Sequence, residues 1–221
     1  LPFPDAPVAL PHAEPEHVVS PACAVAVLAA PVKFREMGSP AVQLGARVTG
    51  VDITPVFCDV ARELTQRLGL AHRVEFLCAD ALAMPFDDAS FDGAYSMNVS
   101  MNIADRAGLY REIGRVLKPG GWLALSEIAR GEGPDIDYPT PWAESARASF
   151  LATPDATRES LVAAGFDIVH FRSTREQVLA FGARSRAMVD RGEKPPHRAV
   201  TLMHGELAPQ AIANMARALK E

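Results

Sequence analysis

Hydrophobic and polar positions change their period several times along the chain, between the alternation typical of strands and the helical repeat. Apolar runs rich in β-branched and small residues predict strands at 22–30, 46–51, 73–78, 91–97 and 122–128. A short apolar run does not by itself exclude a helix, and that alternative stays open for 22–30. Segments with one apolar face separate the strands, so the pattern predicts an α/β fold with a doubly wound, mostly parallel sheet.

The helix after the second strand has the clearest start and stop signals. Thr54 is a favourable capping residue, Pro55 suits the first helical turn, and Gly69 suits the position just past the end. The sequence therefore predicts a helix over residues 55–68. A further helix is predicted after Asp105, which can cap a segment with one apolar face.

The chain is less regular after the fifth strand. It predicts a loop at 131–140, helices at 141–151 and 154–164, a sixth strand at 166–172, and helices at 174–189 and 209–219. Residues 1–21 contain six prolines and no hydrophobic period, so we expect a poorly ordered arm there. Residues 22–221 are expected to form a single domain.

Composition and charge narrow the classes of partner. The 221 residues are 48% hydrophobic and carry a net charge of -5 without a basic run, which argues against nucleic acid and anionic membranes. The three cysteines form no C-x-x-C pair, and the longest apolar run is too short to span a bilayer. We therefore expect a cytoplasmic protein without a metal site.

Polar residues follow three of the predicted strands. Asp52 ends the second strand, Asp80 the third, and residues 96–98 the fourth. The carboxyl ends of parallel strands meet at one edge of the sheet, where ligands bind in folds of this class. The Asp52 carboxylate can accept two hydrogen bonds from a ribose diol; alternatively, it only helps to cap the next helix.

Three segments at these positions resemble the successive signatures of a known family. GARVTGVDITP, FLCADALAMPFDDASFDGAYS and GRVLKPGGWLALSE are similar to segments of the class I S-adenosylmethionine-dependent methyltransferases. Within that family they resemble the small-molecule branch related to the ubiquinone and menaquinone-biosynthesis C-methyltransferases. The resemblance covers about residues 38–175 and implies a Rossmann-like fold, S-adenosylmethionine as cofactor and a small-molecule acceptor.

The resemblance also implies cofactor contacts at the strand ends. Asp52 would bind the ribose hydroxyls, with Ile53 against the adenine. Asp80 would accept from the adenine amino group, and the Ala81 amide would meet a ring nitrogen.

Two further residues and one departure concern the other end of the cofactor. Asn98 and Val99 would face its methionine part, near the transferred methyl group. The family's glycine-rich first loop corresponds here to VLAAPVKFREMGSPAVQL, in which only Gly38 resembles the end of that loop. We therefore expect a degenerate first nucleotide loop that keeps Gly38 as a cofactor contact. The family's last strand is expected to be missing, and the unpaired edge it leaves would favour a homodimer.

Methyl transfer requires a general base only if the acceptor must lose a proton. Glu127, at the end of the fifth strand, is the best-placed carboxylate, although a solvated strand-end acid is an equal alternative. His204 is a second candidate because it precedes a glycine in a region expected to cover the site.

An aromatic-rich segment at about 130–152 follows the fifth strand. Tyr138, Trp142 and Phe150 lie within it and would form an apolar lid suited to an apolar or aromatic acceptor. The alternative is simple packing of a short helix onto the core.

Two other classes of protein share part of this pattern. A nicotinamide-dependent dehydrogenase also carries an acid after the second strand, but the chain has no G-x-G-x-x-G and no tyrosine with a lysine four residues later. A methyltransferase-like domain that no longer binds cofactor, with a binding or structural role, is favoured by the degenerate first loop.

Overall fold

The computed structural model of the chain describes residues 23–27, 46–133, 135–193 and 204–219. In these ranges five strands form one sheet: β1 (Cys23–Val27), β2 (Arg47–Asp52), β3 (Val74–Cys78), β4 (Phe91–Met97) and β5 (Leu117–Ser126). The helices there are α1 (Pro55–Arg67), α2 (Arg106–Val116), α3 (Pro154–Ala163), α4 (Arg175–Asp190) and α5 (Ala208–Ala218). The predicted arm at 1–21 and Gly38 lie outside the described residues.

The sheet has the strand order β3-β2-β1-β4-β5, and each neighbouring pair is parallel. The chain moves outward from β1 to β3 and then returns to the other side of β1, so the strand order reverses between β1 and β4. This reversal places a crevice at the carboxyl ends of the central strands. The predicted doubly wound, parallel α/β fold is confirmed.

Helix α1 begins and ends where its signals predict. Thr54 has an extended backbone, Pro55 occupies the first turn, and Gly69 has a φ of 67°. The Thr54 side chain makes no capping hydrogen bond. Instead the Asp52 carboxylate accepts from the Thr54 amide at 2.7 Å, so the acid at the strand end also orders the start of the helix.

Helix α2 supplies much of the core beneath the sheet. Its predicted cap is confirmed, since Asp105 accepts from the Gly108 amide at 2.8 Å. The buried residues of α2 recur at helical spacing and include Leu109, Tyr110 and Ile113, each fully shielded from solvent. They pack with β4 and α3 in one cluster, which holds α2 against the sheet.

Strand β5 begins earlier than the sequence predicts. Leu117 already pairs with Phe91, and the pairing is interrupted before it resumes between Trp122 and Gly93. Gly120 lies within this irregularity with a φ of 78°, a backbone conformation that glycine adopts without strain. The strand ends at Ser126, so Glu127 follows it directly.

The predicted helix at 141–151 is wrong. The structure has a bridge between Thr140 and Ala143 and a short 3-10 turn at Ala146–Ala148. The reason lies outside the segment: the Asn102 side-chain amide donates to the carbonyls of Trp142 and Ala148, both at 2.8 Å. A continuous α-helix would use such carbonyls internally.

The predicted sixth strand at 166–172 is also wrong. Phe166 and Ile168 pack against the core cluster, whereas Val169 is 96% exposed, so burial alternates over residues 166–169. Residues 170–172 are all exposed, and the segment pairs with no described strand. Alternation of burial is not sufficient, because a strand also requires a hydrogen-bonded neighbour.

Candidate active site

Asp52 ends β2 at the carboxyl edge and is only 4% exposed. Its carboxylate accepts from the Thr54 amide, and its backbone carbonyl accepts from the Ala79 amide at 3.0 Å. The next side chain, Ile53, is 67% exposed, although it is large and apolar. A carboxylate has about four acceptor positions, so a helix cap is compatible with a second, ligand-directed role.

Asp80 follows β3 at the same edge, because Asp52 and Cys78 are paired across β2 and β3. Asp80 is exposed, and one of its carboxylate oxygens accepts from the Leu82 amide at 2.9 Å. Its carbonyl accepts from the Ala83 amide at 3.1 Å. Asp80 and Ala81 thus lie in a tight turn beside Asp52, as the sequence predicts for residues at adjacent strand ends.

The loop after this turn is held by a pair of charged residues on α2. Arg115 donates to the carbonyls of Met84 and Phe86 at 2.9 and 2.8 Å and to the Asp88 carboxylate at 2.7 Å. Glu112 accepts from the Met84 amide at 2.7 Å and from Arg115 at 2.7 and 2.9 Å. The hydrogen bond from Arg115 holds the pKa of Glu112 below its ordinary value. We call this arrangement the Arg115 clamp.

The Arg115 clamp was missed at the level of sequence, although all its members except Glu112 stand in the quoted signatures. Met84 and Phe86 belong to FLCADALAMPFDDASFDGAYS, and Arg115 belongs to GRVLKPGGWLALSE. The fixed separation of these two segments is the signal that could have revealed the contact. The structure therefore gives the signatures a physical link: one holds the loop formed by the other.

The loop after β4 starts at Asn98, whose φ of 53° turns the chain away from the sheet. The Asn98 amide donates to the Ser126 carbonyl at 2.6 Å. Val99 is 2% exposed and packs in the core cluster, so any ligand contact it makes would come from its backbone. Asp52 ends β2 and Asn98 follows β4, and these two strands flank β1.

Glu127 has a role that the sequence does not predict. Its carboxylate accepts from three successive backbone amides, those of Val99 at 3.3 Å, Ser100 at 3.1 Å and Met101 at 3.1 Å. Burial raises the pKa of Glu127, while these hydrogen bonds oppose the increase. The function of Glu127 as a general base stays a prediction, and the geometry favours support of the loop.

The aromatic-rich segment contacts this same loop. In addition to the two hydrogen bonds from Asn102, the Phe150 amide donates to the Met101 carbonyl at 2.7 Å. Trp142 is partly buried, and Phe150 is 39% exposed. The segment is therefore attached at the carboxyl edge of β4, where a lid would have to lie.

The C-terminal part of the described chain holds the segment from the other side. Asn214 of α5 donates to the Pro139 carbonyl at 2.9 Å. His204 Nε2 lies 3.3 Å from the Pro141 carbonyl, and its Nδ1 is buried without a hydrogen-bond partner among the described residues. His204 thus borders the predicted lid, and its role as a base stays a prediction.

The described ranges hold no group of three His, Cys, Asp or Glu residues that could bind a metal ion. None of their helices combines the length and the apolar character needed to cross a membrane.

Comparison with known proteins agrees with the fold. Residues 36–125 match the family described as "Methyltransferase domain". A curated O-methyltransferase of Pyrenophora dematioidea is 30% identical over 132 residues, which are 59% of this chain and 49% of that protein. The chain therefore spans about half the length of such curated relatives.

Solved structures show the same fold. Phosphoethanolamine N-methyltransferase 2 of Haemonchus contortus, in complex with S-adenosyl-L-methionine, has a TM-score of 0.68 at 19% identity, over 93% of this chain and 45% of that one. The (4+2)-cyclase SpnF has a TM-score of 0.63 at 24% identity, over 91% of this chain and 70% of that one. Residues 36–125 thus match a methyltransferase domain, and the chain has the Rossmann-like parallel sheet of these structures.

Proposed function

We propose that this protein transfers a methyl group from S-adenosylmethionine to a small molecule. The observation that carries the proposal is the placement of Asp52, Asp80 and Asn98 at the carboxyl ends of β2, β3 and β4, within a stretch that matches the methyltransferase domain family. Ligands of open parallel sheets bind at this reversal of strand order.

The side chains at the edge fit the nucleoside part of such a cofactor. A ribose diol and an adenine amino group both donate hydrogen bonds, and the two aspartates at adjacent strand ends can accept them. Ile53, next to Asp52, offers an exposed apolar surface against which an adenine ring can lie. The Ala81 amide, in the turn after Asp80, would bind a ring nitrogen.

Bound cofactor would supply an electrophilic methyl group on a sulfonium centre. The protein's part is to hold the acceptor in line with that methyl group and to exclude water. Asn98, and Val99 through its backbone, would border the methyl end, and the 142–150 segment would cover the acceptor. A base is required only for an acceptor that loses a proton, and His204 borders the covered region.

Calorimetric titration with S-adenosylhomocysteine tests the proposal, with NAD as the control ligand. We expect micromolar affinity for the first and no heat from the second. Asp52→Asn keeps an acceptor for the Thr54 amide but loses the charge, so it should weaken binding about tenfold, as expected for one charged hydrogen bond. Asp59→Asn, at an exposed position on α1, is the matched control.

Each alternative class gives a different result in this titration. NAD binding alone would indicate a dehydrogenase. The absence of binding heat with either ligand would favour a domain that has lost its cofactor and serves as a binding module. The degenerate first loop that supports the latter reading, with Gly38, lies outside the described residues.

Several finer predictions belong to the same proposal. An apolar or aromatic acceptor, related to those of the quinone-biosynthesis branch, would suit the aromatic residues of the 130–152 segment. A cytoplasmic location, a homodimer, the absence of nucleic-acid and membrane partners, and a single domain over 22–221 stay predictions. The relatives' names include both O- and N-methyltransferases, so they leave the accepting atom open.

A further inference from the structure

Glu127 joins two parts of the carboxyl edge that are distant in sequence. It is the first residue after β5, and its carboxylate reaches the three amides that follow Asn98 at the end of β4. An ionised carboxylate only accepts hydrogen bonds, so it suits three converging donors. Hydrogen bonds of this charged kind are among the stronger ones in proteins.

The loop held by Glu127 is fixed from below by a second polar contact. Ser100 and Tyr110 are both fully shielded from solvent, and their hydroxyl groups lie 3.2 Å apart. Burial raises the pKa of Tyr110, and the hydrogen bond with Ser100 and the charge of Arg106 only partly oppose this increase. The loop therefore has polar partners on both sides, from β5 and from α2.

The same loop carries the contacts to the predicted lid. Met101 accepts from the Phe150 amide, and Asn102 binds the carbonyls of Trp142 and Ala148. Displacement of the 99–101 backbone would therefore move the attachment points of the 142–150 segment. One carboxylate thus supports both the loop at the methyl end and the segment above it.

We infer that Glu127 is a positioning residue, which fixes the backbone of 99–101 and, through Met101 and Asn102, the placement of the 142–150 segment over the acceptor. The inference rests on the proposed methyl-transfer function. It assigns Glu127 a different role from proton abstraction, because the carboxylate is already engaged by three donors.

Glutamine is an informative replacement at this position. One carboxylate oxygen faces the amides of Val99 and Ser100, and the other faces that of Met101. In Glu127→Gln, one of these sites receives an NH₂ group, which opposes a donor with a donor. The variant keeps the size of the side chain and loses the arrangement of acceptors.

The test uses amide NMR spectra and titration with S-adenosylhomocysteine. In the wild-type protein, the amide signals of residues 99–101 should shift together on acidification. The midpoint of this shift should lie above pH 4.5, which is the ordinary pKa of glutamate. The other ionisable groups facing this network are Arg106 and Tyr110, and burial raises the pKa of Tyr110 further above the acid range. Glu127→Gln should abolish the shared shift and weaken S-adenosylhomocysteine binding at least fivefold.

Glu159→Gln is the matched control, because Glu159 is exposed on α3, outside the 130–152 segment, and its side chain makes no hydrogen bond or ion pair within the described residues. It should keep the shared shift and an affinity within twofold of wild type. The inference is overturned if the three wild-type amides do not titrate together, a measurement that requires no variant to fold. It is also overturned if Glu127→Gln binds S-adenosylhomocysteine as tightly as Glu159→Gln. Absence of wild-type binding would instead refute the proposed function, while the amide titration would still decide whether Glu127 holds the loop.

Discussion

Replacing Arg115 with methionine should destabilise the protein and weaken its cofactor site together. Methionine keeps the apolar stem of the side chain but removes the donors to Met84, Phe86 and Glu112. The ion pair with Asp88 contributes little because that carboxylate is 79% exposed. The carbonyls of Met84 and Phe86 and the Glu112 carboxylate then lose a charged donor at a partly buried position. We expect the free energy of unfolding to fall by about 2–4 kcal/mol.

Urea denaturation measures this loss, and Arg111→Met is the matched control. Arg111 lies on the exposed side of the same helix, and its side chain makes no hydrogen bond within the described ranges. Arg115→Met should also weaken S-adenosylhomocysteine binding, because the loop it holds continues from the Asp80 turn. If the two variants unfold within about 0.5 kcal/mol of each other, which is the usual range for surface substitutions, the clamp does not carry the stability assigned to it.

Two further predictions concern stability. The pKa of Glu112 is lowered in the folded state, so its contribution to the free energy of unfolding is present above pH 4.5 and is lost as the pH falls through the folded-state pKa. Glu112→Gln should therefore flatten the acid side of a plot of stability against pH. An unchanged slope would contradict this role of Glu112. Gly120→Ala should cost about 1–2 kcal/mol in urea denaturation, because its φ of 78° strains any other residue. Gly131→Ala, which has open space and no such backbone angle, should be neutral, and equal losses at both glycines would exclude backbone strain as the cause.

The sequence predicted those elements whose signals are local. Helix α1 follows from Thr54, Pro55 and Gly69, and the parallel sheet follows from apolar runs separated by helices. The segments at 141–151 and 166–172 were predicted wrongly because their conformations depend on distant groups. The first gives two of its carbonyls to the Asn102 side chain, and the second pairs with no described strand.

The candidate site shows the same division. The positions of Asp52 and Asp80 at one edge were predictable, since strand ends follow from the hydrophobic pattern. The supporting contacts of Arg115 and Glu127 were not, because each spans more than 25 residues of sequence. Local patterns indicate where a parallel sheet places its polar ends, whereas the groups that fix the loops between them become visible only in three dimensions.

The bond between the Asp52 carboxylate and the Thr54 amide has a consequence for how this fold loses or keeps its ligand. A descendant that abandoned the nucleoside would still require an acceptor at this place to begin the helix, so aspartate or asparagine would persist for reasons of folding. The side chain of the neighbouring Ile53 has no comparable role in folding, because it is 67% exposed. The exposed apolar Ile53 is therefore a better indicator of a functional nucleoside pocket than Asp52 is.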